Sequence, residues 1–214
     1  MADVDNYLYF YRGESLPEAI ERIFDGYDRF AESIGPFNLV NPAIAGGACR
    51  SWVFGEEPRD IDVYLTTNED KESIVAEDPD APVIKLASFI KTPIEIINYV
   101  YQDLASILNT FDMTVAMCAV DSEQLVCHED YLSDLASKTI AFTNLSRPMN
   151  SLLRLQKYIK YGFTAHPKEL TQLATAFYLM REEPKMPDFA RDPVTGHFVI
   201  NYKTSSGAGK NIPF

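Results

Sequence analysis

The clearest pattern of apolar positions in the chain has the period of an α-helix and begins near Ser15. Ser15 and Glu18 have the spacing of a capping box, and Pro17 suits a first helical turn. Apolar side chains then recur three or four positions apart: Ile20, Ile23, Phe24, Tyr27, Phe30, Ala31 and Ile34. This spacing predicts a helix with one buried face, which Gly35 and Pro36 end.

Shorter apolar runs bounded by turn residues predict an alternation of strands and helices over the next 110 or so positions. Strands are predicted at 42–46, 60–66, 82–90, 93–100 and 111–121, the last in a hairpin with 124–129. Helices are predicted at 48–54, 101–109 and 130–137, and the acidic stretch 67–82 is predicted to be a short helix or a loop. A turn near Lys91 would join the third and fourth strands.

After Pro148 the pattern becomes helical and then rich in Pro, Gly and Ser. Helices are predicted at 150–162 and 167–182, a small hairpin at 192–202 and a flexible tail at 205–211. We therefore divide the chain into residues 1–147, a helical part 148–183, and a hairpin with tail 184–214. The "GAGKN" stretch in the tail lacks the spacing and the Ser or Thr of a phosphate-binding P-loop.

Composition excludes several classes of site. Cys49, Cys118 and Cys127 are an odd number without CxxC spacing, which argues against a disulfide framework and a thiolate metal site. The three histidines are scattered singly. No apolar run is long enough for a membrane span, and the N-terminus lacks the pattern of a signal peptide. We expect a cytoplasmic protein.

The formal net charge of −12 shapes the expected partners. Extended binding to nucleic acid depends on lysines and arginines that neutralise phosphates. An acidic chain is therefore expected to bind no extended nucleic acid and no membrane, although a local basic patch can hold one nucleotide. The simpler interpretation of the charge is solubility.

Two carboxylates interrupt the apolar strand "DIDVYLT". Asp60 and Asp62 lie at positions i and i+2, so both side chains project from the same face of the strand. Such a pair is either ordinary solvent-facing alternation or a site for divalent cations, which take oxygen ligands and phosphate. Upstream, Gly46 and Gly47 lack a Cβ and let the backbone approach a phosphate closely.

The spacing of these features resembles the nucleotidyltransferase superfamily. "AGG", twelve residues, and then "DID" with Val63 match its hG[GS]-x9-13-Dh[DE]h signature. "GGACRSWVFG" also resembles the opening motif of poly(A) polymerases and CCA-adding enzymes. The resemblance covers residues 40–160 and implies an α+β fold, with a mixed sheet flanked by helices and a small helical C-terminal part.

The resemblance also implies a reaction and a site. A nucleoside triphosphate (NTP) would donate its monophosphate to an acceptor hydroxyl and release pyrophosphate, with Mg2+ or Mn2+ held by Asp60 and Asp62. The family has a third carboxylate on a later strand, for which we favour Asp112 over Glu95. Asp112 would complete a metal site and act as general base, or it lies at a helix end without such a role.

Further residues are candidates for binding the triphosphate. The resemblance implies that Gly46 and Gly47 approach it and that Ser51 donates a hydrogen bond to it. Arg50 is either a phosphate ligand or a surface residue. A stripe of cations along one predicted helix, with Arg147 just before it, is either a triphosphate contact or a solvated face: Arg154, Lys157 and Lys160.

Three functions remain open from the sequence. The first is a metal-dependent nucleotidyltransferase acting on an RNA end, a protein side chain or a small molecule. The second is a binding or regulatory module with the same fold, such as an antitoxin-like partner or a host-factor inhibitor. The third is a metal-dependent phosphohydrolase, for which the glycine pair has less purpose.

Overall fold

The computed structural model of the chain describes residues 6–34, 39–74, 81–86, 92–179, 188–191, 198–203 and 209–213. Two compact units are present, Met1–Ala176 and Phe177–Phe214. The described helices are α1 Glu18–Ile34, α2 Gly47–Val53, α3 Asn68–Ser73, α4 Leu104–Leu108, α5 Tyr131–Ser137, α6 Pro148–Lys160 and α7 Pro167–Leu179. Among the described residues, no helix combines the length and the apolar character that crossing a membrane requires.

A mixed seven-stranded sheet is the centre of the first unit, in the order β1-β7-β6-β2-β3-β5-β4. Its strands are β1 Tyr7–Tyr11, β2 Ala43–Ala45, β3 Ile61–Leu65, β4 Val83–Leu86, β5 Ile94–Val100, β6 Cys118–Val120 and β7 Gln124–His128. Neighbouring strands are antiparallel, except that β3 and β5 run parallel. This arrangement confirms the predicted α+β class with a mixed sheet flanked by helices.

Helix α1 begins at Glu18 rather than near Ser15 as predicted, but its buried face is the predicted one. Its apolar positions Ile20, Ile23 and Phe24 are 0 to 4% exposed. The helix packs against α2, where an ideal Cβ on Gly26 would lie 2.2 Å from Cδ2 of Trp52. Because Gly26 has no side chain, the indole ring of Trp52 can lie directly against the backbone of α1.

Helix α4 covers part of the sheet through a second apolar cluster. Leu104, Ile107 and Leu108 are buried against side chains that share one face of the strands. These strand residues include Ala43, Ala45, Tyr64, Ala119 and Val126. Since side chains alternate along a strand, Asp62 projects from the same face of β3 as Tyr64.

The predicted strand over 111–121 is mostly wrong. Residues 114–116 form a 3-10 turn, Met113 makes an isolated bridge to Phe142, and only Cys118–Val120 is a regular strand. The whole stretch 112–120 is buried. A continuous apolar run of this kind does not distinguish a strand from another buried conformation. The hydroxyl of Thr114 bonds to Asp134, which anchors the turn to α5.

The sequence pattern also missed strand β1. Its five residues are all aromatic or apolar. The stretch therefore lacks the alternation of apolar and polar positions that indicates a half-buried strand. A separate two-stranded parallel sheet consists of β8 Thr139–Ile140 and β9 Thr164–Ala165. Several predicted turns and ends lie outside the described residues: Gly35, Pro36, Lys91, 75–80 and 87–90.

The second unit contains a three-stranded antiparallel sheet of β10 Asp188–Arg191, β11 Phe198–Lys203 and β12 Gly209–Pro213. The predicted hairpin is present, but its first strand lies before the predicted range. Of the predicted flexible tail over 205–211, Gly209, Lys210 and Asn211 belong instead to β12, which pairs with β11, and residues 205–208 lie outside the described part. The division into domains at 147 and 183 stays a prediction.

The contact between Gly26 and Trp52 leads to a stability prediction. We expect Gly26→Ala to lower the free energy of unfolding by roughly 1–3 kcal/mol, because the new methyl group overlaps a rigid indole ring. Urea denaturation measures the change. Asp25→Ala, at the neighbouring exposed position, should change stability by no more than about 0.5 kcal/mol. Equal stability of wild type and Gly26→Ala would contradict this packing.

Candidate nucleotide-binding site

The glycine pair forms the turn between β2 and α2. Gly46 has φ 76°, a left-handed conformation that favours glycine, and its N–H donates to the carbonyl of Cys118 over 2.9 Å. An ideal Cβ on Gly46 would also lie 2.9 Å from Cε1 of Phe111. Gly47 begins α2, and a Cβ there would meet nothing within 4 Å. Glycine is therefore required at position 46 by the left-handed backbone conformation, whereas at position 47 its missing side chain leaves open space.

That open space belongs to a narrow cleft of about 20 Å³ between α2, the start of β3 and the end of α6. Its lining residues are Gly47, Arg50, Ser51, Arg59, Asp60, Lys157, Tyr158 and Tyr161. Five of these were predicted from the sequence as site residues. The cleft thus brings one strand carboxylate, the glycine turn and cations from two helices to one place.

Arg50 is a buried residue, so the alternative that it is a surface residue is wrong. Its guanidinium lies 4.7 Å from the ring centroid of Tyr161 and donates to Oγ of Ser51 over 3.2 Å. The guanidinium of Arg59 lies 5.4 Å from the same ring. An aromatic face attracts a cation, so Tyr161 holds two guanidinium groups beside the cleft.

Three carboxylates are close to one another where β3 begins. In the parallel pair of β3 and β5, Asp62 lies directly opposite Glu95. Burial raises the pKa of Asp62 to about 6, and the negative charges of Asp60 and Glu95 add to this effect. Lys157 and Arg154 of α6 oppose it by lowering the pKa. Such a perturbed carboxylate beside a cleft is typical of functional sites.

Asp112 has different partners. Its Oδ2 accepts from Oγ of Ser151 over 2.6 Å and forms an ion pair with Nη1 of Arg154 over 2.9 Å. Its Oδ1 is buried and has no hydrogen-bond partner among the residues described. The structure therefore places Asp112 against Arg154 of α6 and places Glu95 beside Asp62. The assignment of a third carboxylate stays a prediction.

Arg59, Tyr161 and Ser151 were missed from the sequence. Arg59 directly precedes the "DID" run. Its position next to two carboxylates was the sequence feature that could have identified it as a site residue. Tyr161 follows the last turn of α6, and nothing in the local pattern distinguishes it from a core aromatic. Ser151 is fully buried on α6, and its role as a donor to Asp112 depends on tertiary packing alone.

Comparison with known families gives a match over residues 16–138, which is more than half of the chain. The matching family is Gad2, described as Gabija anti-defense 2 family protein. The chain belongs to this family. A curated relative from Bacillus phage SPbetaL7, "Gabija anti-defense 2", is 31% identical in an alignment 209 residues long that covers 92% of this chain and 48% of that protein. The chain therefore spans about half the length of this relative.

Solved structures share the fold at low sequence identity. A Thermotoga maritima CCA-adding enzyme complexed with tRNA has a TM-score of 0.56 at 17% identity, over 84% of this chain and 48% of the other. A CCA-adding enzyme with ATP has a TM-score of 0.54 at 16% identity, over 84% and 49%. A tRNA-processing enzyme has 0.52 at 20%, over 78% and 49%. The chain thus has a nucleotidyltransferase-like fold.

The two glycines of the turn are expected to respond differently to substitution. Gly46→Ala should lower the free energy of unfolding by roughly 1–3 kcal/mol, because it forces a left-handed alanine against Phe111. Gly47→Ala should change it by no more than about 0.5 kcal/mol, since the helix start is open at that point. Urea denaturation of both variants tests this, and an equal loss at the two positions would contradict the geometry.

The raised pKa of Asp62 predicts a pH dependence of stability. The folded chain binds this proton more tightly than the unfolded chain, so Asp62 contributes stability below its ordinary pKa of 3.8 and loses the contribution as pH rises through about 6. We expect Asp62→Asn to be more stable than wild type at about pH 7.5, with the difference shrinking towards about pH 4.5.

The measurement is thermal or urea denaturation of the variant and the wild type across this pH range. Glu57→Gln is the matched control, because Glu57 is an exposed carboxylate on the loop just before β3. A stability difference for Asp62→Asn that stays constant with pH would show that the carboxylate is not perturbed.

Proposed function

We propose that the chain counteracts the Gabija defence system of bacteria by binding a protein of that system. Membership in the Gabija anti-defense 2 family, over more than half of the chain, carries this proposal. The curated phage relative supports it over 92% of the chain. In this function the nucleotidyltransferase-like fold is a scaffold that positions a binding surface, and the cleft is a site for a nucleotide.

The second candidate is transfer of a nucleoside monophosphate from an NTP to an acceptor hydroxyl on the bound target. The cleft favours it, because Gly47, Arg50 and Lys157 line it together with Asp60. In this reaction a bond forms between the acceptor oxygen and the α-phosphorus, the bond to the bridging oxygen breaks, and pyrophosphate leaves. The fold neighbours that bind ATP and CTP support an NTP as the donor.

Asp60 and Asp62 would hold a divalent cation. Their oxygens are the donors that Mg2+ and Mn2+ prefer, and Mg2+ is commonly held by one or two carboxylates together with phosphate oxygens. In the part of the chain that the structure describes, no group of three or more His, Cys, Asp or Glu side chains is placed to hold a metal. When bound, the cation would neutralise charge that develops on the phosphates.

The remaining residues of the cleft suit binding and proton transfer. Arg50, Arg59 and Lys157 would bind the phosphates, with the guanidinium groups oriented by Tyr161. Ser51 would donate a hydrogen bond. Glu95, which lies beside Asp62, would supply the third carboxylate, and Asp112 would orient Arg154 towards the carboxylates. The hydroxyl proton would pass to one of these carboxylates.

One experiment distinguishes the two candidates. Bacteria carrying Gabija are infected with a phage that Gabija restricts, while expressing the wild-type chain or a variant with Asp60→Asn and Asp62→Asn. A binding inhibitor should retain its effect on plating efficiency in the variant. If the chain acts as a nucleotidyltransferase, the variant should lose its effect on plating efficiency. Removal of catalytic groups lowers the rate of transfer by about 100-fold or more. Plating that the wild type does not raise would overturn the proposed function.

The matched control also removes two negative charges, but at positions outside the cleft. Glu57→Gln with Glu69→Gln changes exposed carboxylates outside the cleft and should behave as wild type in both cases. In parallel, purified chain is incubated with α-labelled NTPs, Mg2+ and the purified Gabija proteins. Transfer of label that disappears in the Asp60→Asn, Asp62→Asn variant would establish catalysis.

A further inference from the structure

Strand β1 leaves one side of its backbone available for pairing. It is the outermost strand of the sheet and pairs only with β7 among the residues described. The N–H of Arg12 donates to Glu123, and the N–H of Glu129 donates to Asn6. Antiparallel pairs alternate between bonded and non-bonded positions, so the even-numbered residues of β1 bond to β7. The N–H and C=O groups of Tyr7 and Tyr9 and the N–H of Tyr11 therefore point away from the sheet, while the carbonyl of Tyr11 accepts from the N–H of Glu14 over 3.4 Å.

The side chains of β1 are also exposed and apolar. Leu8, Tyr9 and Tyr11 are 43%, 44% and 48% exposed. Edge strands in natural proteins are usually protected by lysine, proline, a bulge or a covering element. Within Tyr7–Tyr11 the chain has no charged residue and no proline. Tyrosine is enriched where protein partners bind, since it combines a large contact area with a hydroxyl group.

Charges at both ends of the β1–β7 pair indicate what kind of segment would bind. Exposed carboxylates lie at these ends: Glu14, Glu123, Glu129 and Asp130. The nearby cation, Arg12, is already paired with Asp28 over 2.6 Å. A second copy of this chain carries the same acidic ends and the same net charge of −12, so two copies repel each other here. A segment with basic flanks is complementary.

We propose that an extended segment of a Gabija protein pairs with the outer side of β1 and adds a strand to the sheet. The segment would be apolar at alternate positions and flanked by lysine or arginine. This inference rests on the proposed function, because it names the surface by which the target is bound. β7, β6 and β2 separate β1 from β3, so the contact lies apart from the carboxylates of the cleft.

Amide hydrogen exchange tests the pairing directly. The amides of Tyr9 and Tyr11 should exchange rapidly in the free chain, whereas those of Leu8 and Phe10 should be protected by β7. On addition of the purified Gabija complex, exchange at Tyr9 and Tyr11 should slow by about tenfold or more, with little change at Leu8 and Phe10. A complex that forms without slower exchange at Tyr9 and Tyr11 would overturn the proposal.

Two variants at one position separate backbone pairing from side-chain contact. Tyr9→Pro removes an N–H that does not bond to β7, so the sheet itself should persist. Tyr9→Thr removes the ring and keeps the N–H. We expect Tyr9→Pro to abolish binding to the purified Gabija complex in a pull-down assay and Tyr9→Thr to retain most of it. Circular dichroism checks folding, and wild-type binding by a folded Tyr9→Pro variant would contradict the proposal.

The outcomes distinguish this inference from the proposed function. If the wild type and Tyr9→Pro both raise phage plating on cells carrying Gabija, the function holds and the β1 contact is wrong. If the wild type does not raise plating, the function fails and the inference fails with it. If the chain alone is a dimer by light scattering and its Tyr9 amide is already protected, a second copy occupies β1, which also overturns the proposal.

Discussion

The concentration of negative charge where β3 begins is the constraint on which the site depends. Asp60, Asp62 and Glu95 meet there because a parallel pairing aligns β3 with β5. Burial of a carboxylate near two others is unfavourable, and the raised pKa of Asp62 expresses this cost. The cations of α6 offset it, so the position of this helix on the first unit is coupled electrostatically to the sheet.

Arg154 provides the electrostatic link between α6 and the carboxylates of the sheet. Its guanidinium pairs with Asp112 and lowers the pKa of Asp62, so one cation serves two carboxylates. The guanidinium is partly solvated, which weakens each interaction and leaves its charge accessible to a ligand. A charged ligand that enters the cleft would therefore compete with the carboxylates for the same cations.

The sequence predicted the parts of this site that depend on local pattern. The glycine pair between a short strand and a helix, the strand that carries Asp62, and the helix that carries Arg154 follow from spacing and residue type. The neighbour of Asp62 did not follow, because strand pairing joins residues that are distant in the chain. The stacking of Arg50 on Tyr161 and the irregular segment before β6 depend likewise on tertiary packing.

The pairing of β1 with β7 has a consequence for how the chain folds. Tyr7 pairs with His128, so this contact closes a loop of more than half of the chain. Contacts so distant in sequence form late, because the entropy of closing the loop is lost before the pairing contributes. During synthesis, β1 must wait for β7 to leave the ribosome. Until then its aromatic residues have no sheet to join and are exposed to other unfinished chains.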